Sequence, residues 1–242
     1  MAKKPTSNSQ ARGARLGTQM RGALAEAYGS RGHHHSNLLY LYSPKAGADV
    51  ILRCTLEYGH FLLCEGSPSI ETVEYGCEQR FRTVGDKEAS TIFDAIVTFM
   101  TGMTQYREVK PRAELEVASE TRVGPQLALQ ARIASADNAE HVVLTEEEIY
   151  ANPVLIRNWH RIVPWLAQAR DVALNNHVRE VAALVRGEGA VSLGEVLALG
   201  QGDDAALFAA AAFRGIQKGL FASDLDLMPF SVNTRMSNVE AP

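Results

Sequence analysis

The residues with the most chemical content are Asp94 and the run Glu108-Val109-Lys110. Asp94 sits among Ile92, Phe93, Ala95, Ile96 and Val97, an apolar stretch in which an unpaired carboxylate is costly to bury. A metal, a cationic partner or an open cleft would account for it. Residues two apart on a strand point to one face, so Glu108 and Lys110 emerge side by side. If the strands carrying Asp94 and Glu108 pair, the two carboxylates stand together. Two acids sharing a hard cation, Mg²⁺ or Mn²⁺, are what phosphodiester hydrolysis requires. The cation takes a phosphate oxygen, lowers the pKa of a bound water and offsets the charge that develops in flight. Lys110 would hold or help deprotonate that water and stabilise the pentavalent phosphorane. A third acid, Glu57, can complete a ligand set of Glu57, Asp94 and Glu108. The competing reading makes Glu108 and Lys110 a solvated strand end and Glu57 a surface acid.

The elements that must position these groups follow from pattern. Residues 53–65 space Leu56, Phe61, Leu62 and Leu63 as a buried helix face would, and Gly66-Ser67-Pro68 ends the helix. Segments 70–75 and 79–84 read as strands, 91–100 as a core strand, and 103–109 as its hairpin partner across Thr101-Gly102. Gly124-Pro125 opens a helix, and 141–144 is another short strand. The order helix with Glu57, strand with Asp94, turn, strand with Glu-x-Lys is that of PD-(D/E)xK nuclease cores. Beyond Thr145 the pattern turns helical, with helices over 146–150, 154–166, 169–185, 193–199 and 204–218. Thr145 with Glu148, and Ser192 with Glu195, carry the capping-box signature. Two short strands around Met228-Pro229 complete the order of a winged helix. Trp159 and Trp165 read as helix packing. The expected class is therefore α/β: a restriction-endonuclease-like mixed-sheet core with a C-terminal all-helical, winged-helix domain. The expected division is a basic arm over 1–30, a nuclease domain over 31–150 and the C-terminal domain over 151–242.

Composition sets the outer limits. At 242 residues and 46% hydrophobic, the chain can bury a core without disulfide or metal staples. A net charge of −4 argues against a protein that coats nucleic acid non-specifically. Before Gly47, however, Lys3, Lys4, Arg12, Arg15, Arg21, Arg31 and Lys45 face a single acid, Glu26. That start reads either as an arm following a phosphate backbone, with Arg12, Arg15, Arg21 and Arg31 as its contacts, or as a solvated tail. Cys54, Cys64 and Cys77 form no paired motif and read as small core residues in a reduced, cytoplasmic setting. No run is apolar and long enough to suggest a membrane span. His33-His34-His35 lacks the spacing of a helical zinc site.

The sequence also resembles the TnsA endonuclease subunits of heteromeric bacterial transposases. The resemblance rests on LEYGHFLLCEGSPSIETVEY (56–75), TIFDAIVTFMTG (91–102), YREVK (106–110), VVLTEEEIYANPVLIRN (142–158) and LFASDLDLMPFSVNTRM (220–236), in that order. It covers the chain from about Arg31 onward. It departs at Glu78-Gln79-Arg80-Phe81, where such chains often carry Gln-Pro. The resemblance implies a nuclease whose acids map onto Glu57 and Asp94 and whose lysine maps onto Lys110; the position of Glu108 can be Gln in the family. It implies nicking of double-stranded DNA at the 5′ ends of a mobile element. A DDE transposase subunit (TnsB-like) would cut the 3′ ends, and an AAA+ ATPase regulator (TnsC-like) would bind the C-terminal region. The helix over 204–218 carries only Arg214 and Lys218 as cations, which suits protein docking better than base readout. Two alternatives remain: a stand-alone restriction or repair nuclease, and a non-catalytic DNA-binding adaptor on a nuclease scaffold. If the N-terminal segment tracks phosphates, neutralising Arg12, Arg15 and Arg21 weakens DNA binding and flattens the slope of log K against log salt by about 1–3. Fluorescence anisotropy across a salt series checks this, and an unchanged slope makes the segment a tail.

Overall fold

A computed structural model of the chain describes residues 37–84 and 87–239. Arg12, Arg15, Arg21 and Arg31, and the three adjacent histidines, lie outside the described residues. Leu39–Ser43 (β1) and Ala48–Leu52 (β2) pair antiparallel. The first helix among the described residues, α1, spans Thr55–Gly66. It starts later than the apolar spacing predicts because Cys54 is extended and caps it, its Sγ accepting from the Glu57 N–H. Sulfur here takes the place usually filled by a hydroxyl or carboxylate oxygen.

Six strands follow: β3 (Ile70–Tyr75), β4 (Arg80–Val84), β5 (Lys87–Thr91), β6 (Ala95–Phe99), β7 (Thr104–Val109) and, after a crossover, β8 (Glu140–Leu144). Strands β3, β6, β7 and β8 form a four-stranded sheet in that order. The first two pairings are antiparallel and the β7–β8 pairing is parallel, so the sheet is mixed. β4 and β5 pair with each other outside it. The single strand predicted over 91–100 is broken in two. Thr91 ends β5, Phe93 turns fully inward, and Asp94 stands in a bend ahead of β6. A carboxylate in mid-ladder would face a packed apolar layer, whereas the bend brings it to the end of the sheet.

A parallel partner needs a long crossover. Arg112–Glu116 (α2), a short 3-10 turn at Ala118–Glu120 and Val123–Ala136 (α3) supply it. Successive side chains of β6 then serve opposite layers. Ala95 and Val97 pack with Cys64 of α1, while Ile96 packs with Ile133 and Ala134 of α3. The sheet is thus held between two helices in an α/β arrangement.

The remaining elements are α4 (Glu146–Ile149), α5 (Pro153–Gln168), α6 (Asn175–Glu188), β9 (Ala190–Ser192), α7 (Leu193–Leu197), α8 (Asp203–Gln217), β10 (Ala222–Ser223) and β11 (Arg235–Ser237). Both predicted capping boxes form, at Thr145/Glu148 and Ser192/Glu195. The helix expected over 169–185 begins only at Asn175, after a turn. β9, β10 and β11 make a three-stranded antiparallel sheet with β11 central. The pattern had shown only two strands, ending at 234. Strands of two or three residues are too short to carry a period, and pairing alone defines them.

No helix among the described residues is long and apolar enough to cross a membrane. Cys64 and Cys77 are buried, and all three cysteines are free. Val50, Leu52, Phe61 and Leu62 share one apolar cluster with Trp159, Ile162, Val163, Phe213 and Phe221, so α1 is packed from behind by the C-terminal helices. Trp159 is fully buried, and a Cβ at Gly66 would lie 2.6 Å from its Cδ1. Gly66→Ala therefore forces α1 and α5 apart and destabilises the fold by about 1–3 kcal/mol, measured by urea denaturation. An unchanged midpoint would contradict that packing.

Candidate active site

The register of β6 and β7 ends with Ala95 against Arg107, and Asp94 and Glu108 come next on their segments, near enough for the charge of Glu108 to act on Asp94. Two contacts hold that pair in place. The Asp94 N–H donates to the Arg107 carbonyl at 3.1 Å, and Asp94 Oδ2 accepts from the Val109 N–H at 2.7 Å. Lys110 stands two residues from Glu108, its Nζ 2.9 Å from Glu108 Oε1. The Lys110 N–H donates to the Leu144 carbonyl at 3.0 Å, which ties the end of β7 to β8. Asp94, Glu108 and Lys110 are therefore brought together at one end of the sheet.

Glu108 is 2% exposed, and α3 covers it. Gln126 Nε2 donates to its Oε1 at 3.0 Å, and Gln130 Nε2 to its Oε2 at 2.6 Å. Sequence reasoning missed both glutamines. The available signal was two amides four residues apart, one helical turn, on the face that also presents Ile133 and Ala134.

The opposite face of β7 positions α1. Arg107 Nη1 lies 3.3 Å from His60 Nε2 and 3.5 Å from Cys64 Sγ. Gln105 Oε1 accepts from the guanidinium on its other side. Burial, reinforced by Arg107, pushes the His60 pKa down to about 3, so the imidazole is neutral and can accept from the guanidinium. His60 is thus an internal link between α1 and β7.

Glu57 lies one turn before His60, but its carboxylate turns back on its own helix. Oε2 accepts from the Arg53 N–H at 2.8 Å, a favourable place for negative charge at a helix N-terminus. It is still near enough for its charge to act on Asp94. Among the described residues, no group of three or more His, Cys, Asp and Glu side chains is gathered so as to hold a metal.

Burial first, then the charge of Glu108, pushes the Asp94 pKa from 3.8 to about 7; the Val109 N–H pulls the other way. For Lys110, burial lowers the pKa, but the charge and hydrogen bond of Glu108 outweigh it, so the ammonium is held more firmly than usual. The donor set suits a hard divalent cation: oxygen ligands, two like charges side by side, and a carboxyl whose ionised form lacks stabilisation. Asp94 and Glu108 thus fit such an ion as a pair. No protein-family model matches the chain, and no curated protein matches it.

The raised pKa has a sign for stability. Between about pH 4 and 7 the folded state binds more protons at Asp94 than the unfolded chain does, so stability falls as pH rises through that window and levels above it. Asp94→Asn keeps an acceptor for the Val109 N–H and removes the partly buried charge. In metal-free buffer at about pH 8 the variant should be the more stable, by on the order of 2–4 kcal/mol. Urea denaturation across pH measures this, and equal stability at the alkaline end would contradict it.

Proposed function

We propose that this chain is a metal-dependent endodeoxyribonuclease acting as one subunit of a transposase, hydrolysing a phosphodiester at the 5′ ends of a mobile element. The observation that carries the chemistry is Asp94 near Glu108, with Lys110 against Glu108, at the end of a mixed sheet. The element order α1, β3, β6, β7, α3, β8, with β8 parallel to β7, supports a restriction-endonuclease-like PD-(D/E)xK core. The order α6, β9, α7, α8, β10, β11 supports a winged helix.

A Mg²⁺ or Mn²⁺ ion held by Asp94 and Glu108 supplies Lewis-acid polarisation of a phosphate oxygen and a bound water of lowered pKa. Asp94 and Glu108 would hold the ion through oxygens fixed by the protein, the first by the Val109 N–H and the second by Gln126 and Gln130. Lys110 Nζ, kept protonated beside Glu108, would donate hydrogen bonds to the phosphoryl oxygens on which negative charge builds. That makes electrostatic stabilisation its main task rather than proton abstraction. Glu57 acts on the site through its charge.

The likeness to TnsA chains supplies the transposase setting and its partners: a TnsB-like DDE subunit and a TnsC-like AAA+ ATPase. The burial of α8 supports docking of a protein over reading of a groove. Phe208–Phe213 and Gly215–Gln217 are internal, and Asp203 and Asp204 lie at its N-terminal end. A helix that lies in a major groove instead keeps several polar side chains free.

The test is cleavage of end-labelled duplex DNA in Mg²⁺ or Mn²⁺, first by the chain alone and then with the transposase and ATPase subunits. Asp94→Ala and Glu108→Ala should abolish cutting, and Lys110→Ala should slow it by about 100- to 1,000-fold with DNA binding retained. Wild-type cutting by Asp94→Ala would sink the assignment. Asp94-dependent cutting without partners would instead indicate a stand-alone nuclease, and DNA binding with no cutting in any assembly a non-catalytic adaptor.

A further inference from the structure

We infer that Gln130 is a positioning residue that sets the separation of the two cation-binding carboxylates; the inference rests on the nuclease reading above. Gln130 is 0% exposed and sits on the buried face of α3 beside Ile133 and Ala134. An amide in such surroundings is costly unless its hydrogen bonds are made. Its NH₂ group has two hydrogens and two acceptors. One is Glu108 Oε2 at 2.6 Å, on β7; the other is the Ile92 carbonyl at 3.3 Å, in the bend that carries Asp94 two residues later.

A single amide therefore joins the two chain segments that present the acids. Its Oε1 is buried without a partner among the described residues, so the orientation of the amide rests on its NH₂ side and, in particular, on Glu108. Gln126, one turn earlier and only partly buried, holds the other Glu108 oxygen at 3.0 Å without reaching the Asp94 segment. With Oε2 engaged by Gln130, and Oε1 by Gln126 and Lys110, the Glu108 carboxylate is held in one orientation. A residue serving only to pin α3 onto the sheet would need the Ile92 contact alone.

Gln130→Met removes both donors with little change in volume. In the full-length protein, Mn²⁺ affinity measured by electron paramagnetic resonance should weaken by about 10- to 100-fold, the range for lost ligand-supporting hydrogen bonds. Cleavage should fall by a like factor at low Mg²⁺ and recover at saturating Mg²⁺, with KM for DNA unchanged. Unaltered Mn²⁺ affinity in folded Gln130→Met would overturn the inference.

A measurement on the wild type covers the case in which the variant fails to fold. The Gln130 side-chain amide resonances should shift on Mg²⁺ addition, and their failure to shift overturns the inference as well. Asp94→Asn separates the two claims. If it loses Mn²⁺ binding while Gln130→Met does not, the positioning role falls and the nuclease reading stands. If the wild type binds no Mn²⁺, both fall.

Discussion

Two carboxylates set side by side repel each other, and even partial burial removes water that would screen them. The pairing of β6 with β7 forces that arrangement on Asp94 and Glu108, and much of the surrounding structure answers to it. Lys110 supplies the nearest positive charge, the Val109 N–H takes one oxygen of Asp94, and two glutamines from α3 take the oxygens of Glu108. What remains uncompensated appears in the raised pKa of Asp94. Natural folds avoid such sites unless something gains from them, and a pair of strained acids is poised to gain from a cation.

Strand β7 distributes the work between two layers by its alternation alone. Glu108 faces α3 and its glutamines, while Arg107 faces α1 through His60 and Cys64. The helix bearing Glu57 and the strand bearing Glu108 are thereby joined through Arg107, next to Glu108, and through His60, about one turn after Glu57. A shift of one residue in this register would exchange the two faces and leave neither contact possible.

α1 is also held from behind. Trp159 lies against Gly66, and Phe61 and Leu62 enter the same cluster as Phe213 of α8. A buried polar network runs alongside this apolar contact: Glu65 accepts from Ser43 Oγ and from Gln217 Nε2, and Lys45 donates to the Ser67 and Ile70 carbonyls. Burial lowers the Lys45 pKa to about 8 even with Glu65 near. Hairpin β1–β2, α1 and α8 are thus locked by contacts that must all be made together, because each leaves a buried polar group stranded if broken.

Features decided by neighbours in sequence could be read without the fold. The capping boxes at Thr145/Glu148 and Ser192/Glu195, the end of α1 at Gly66, and the shared face of Glu108 and Lys110 depend on spacings of two to four residues. The oddity of Asp94 within an apolar stretch was equally plain. The tertiary structure alone decided that Asp94 meets Glu108, that the chain bends at Ile92–Asp94 rather than running straight, that Glu57 turns toward Arg53, and that Gln126 and Gln130 close over the site. It also decided the short strands β9, β10 and β11. The physical reason is common to all of these. Local propensity and capping act within about one helical turn, whereas register, the burial of a charge and the closing of a hydrogen bond across layers depend on partners far away in sequence that only the packed chain brings within reach.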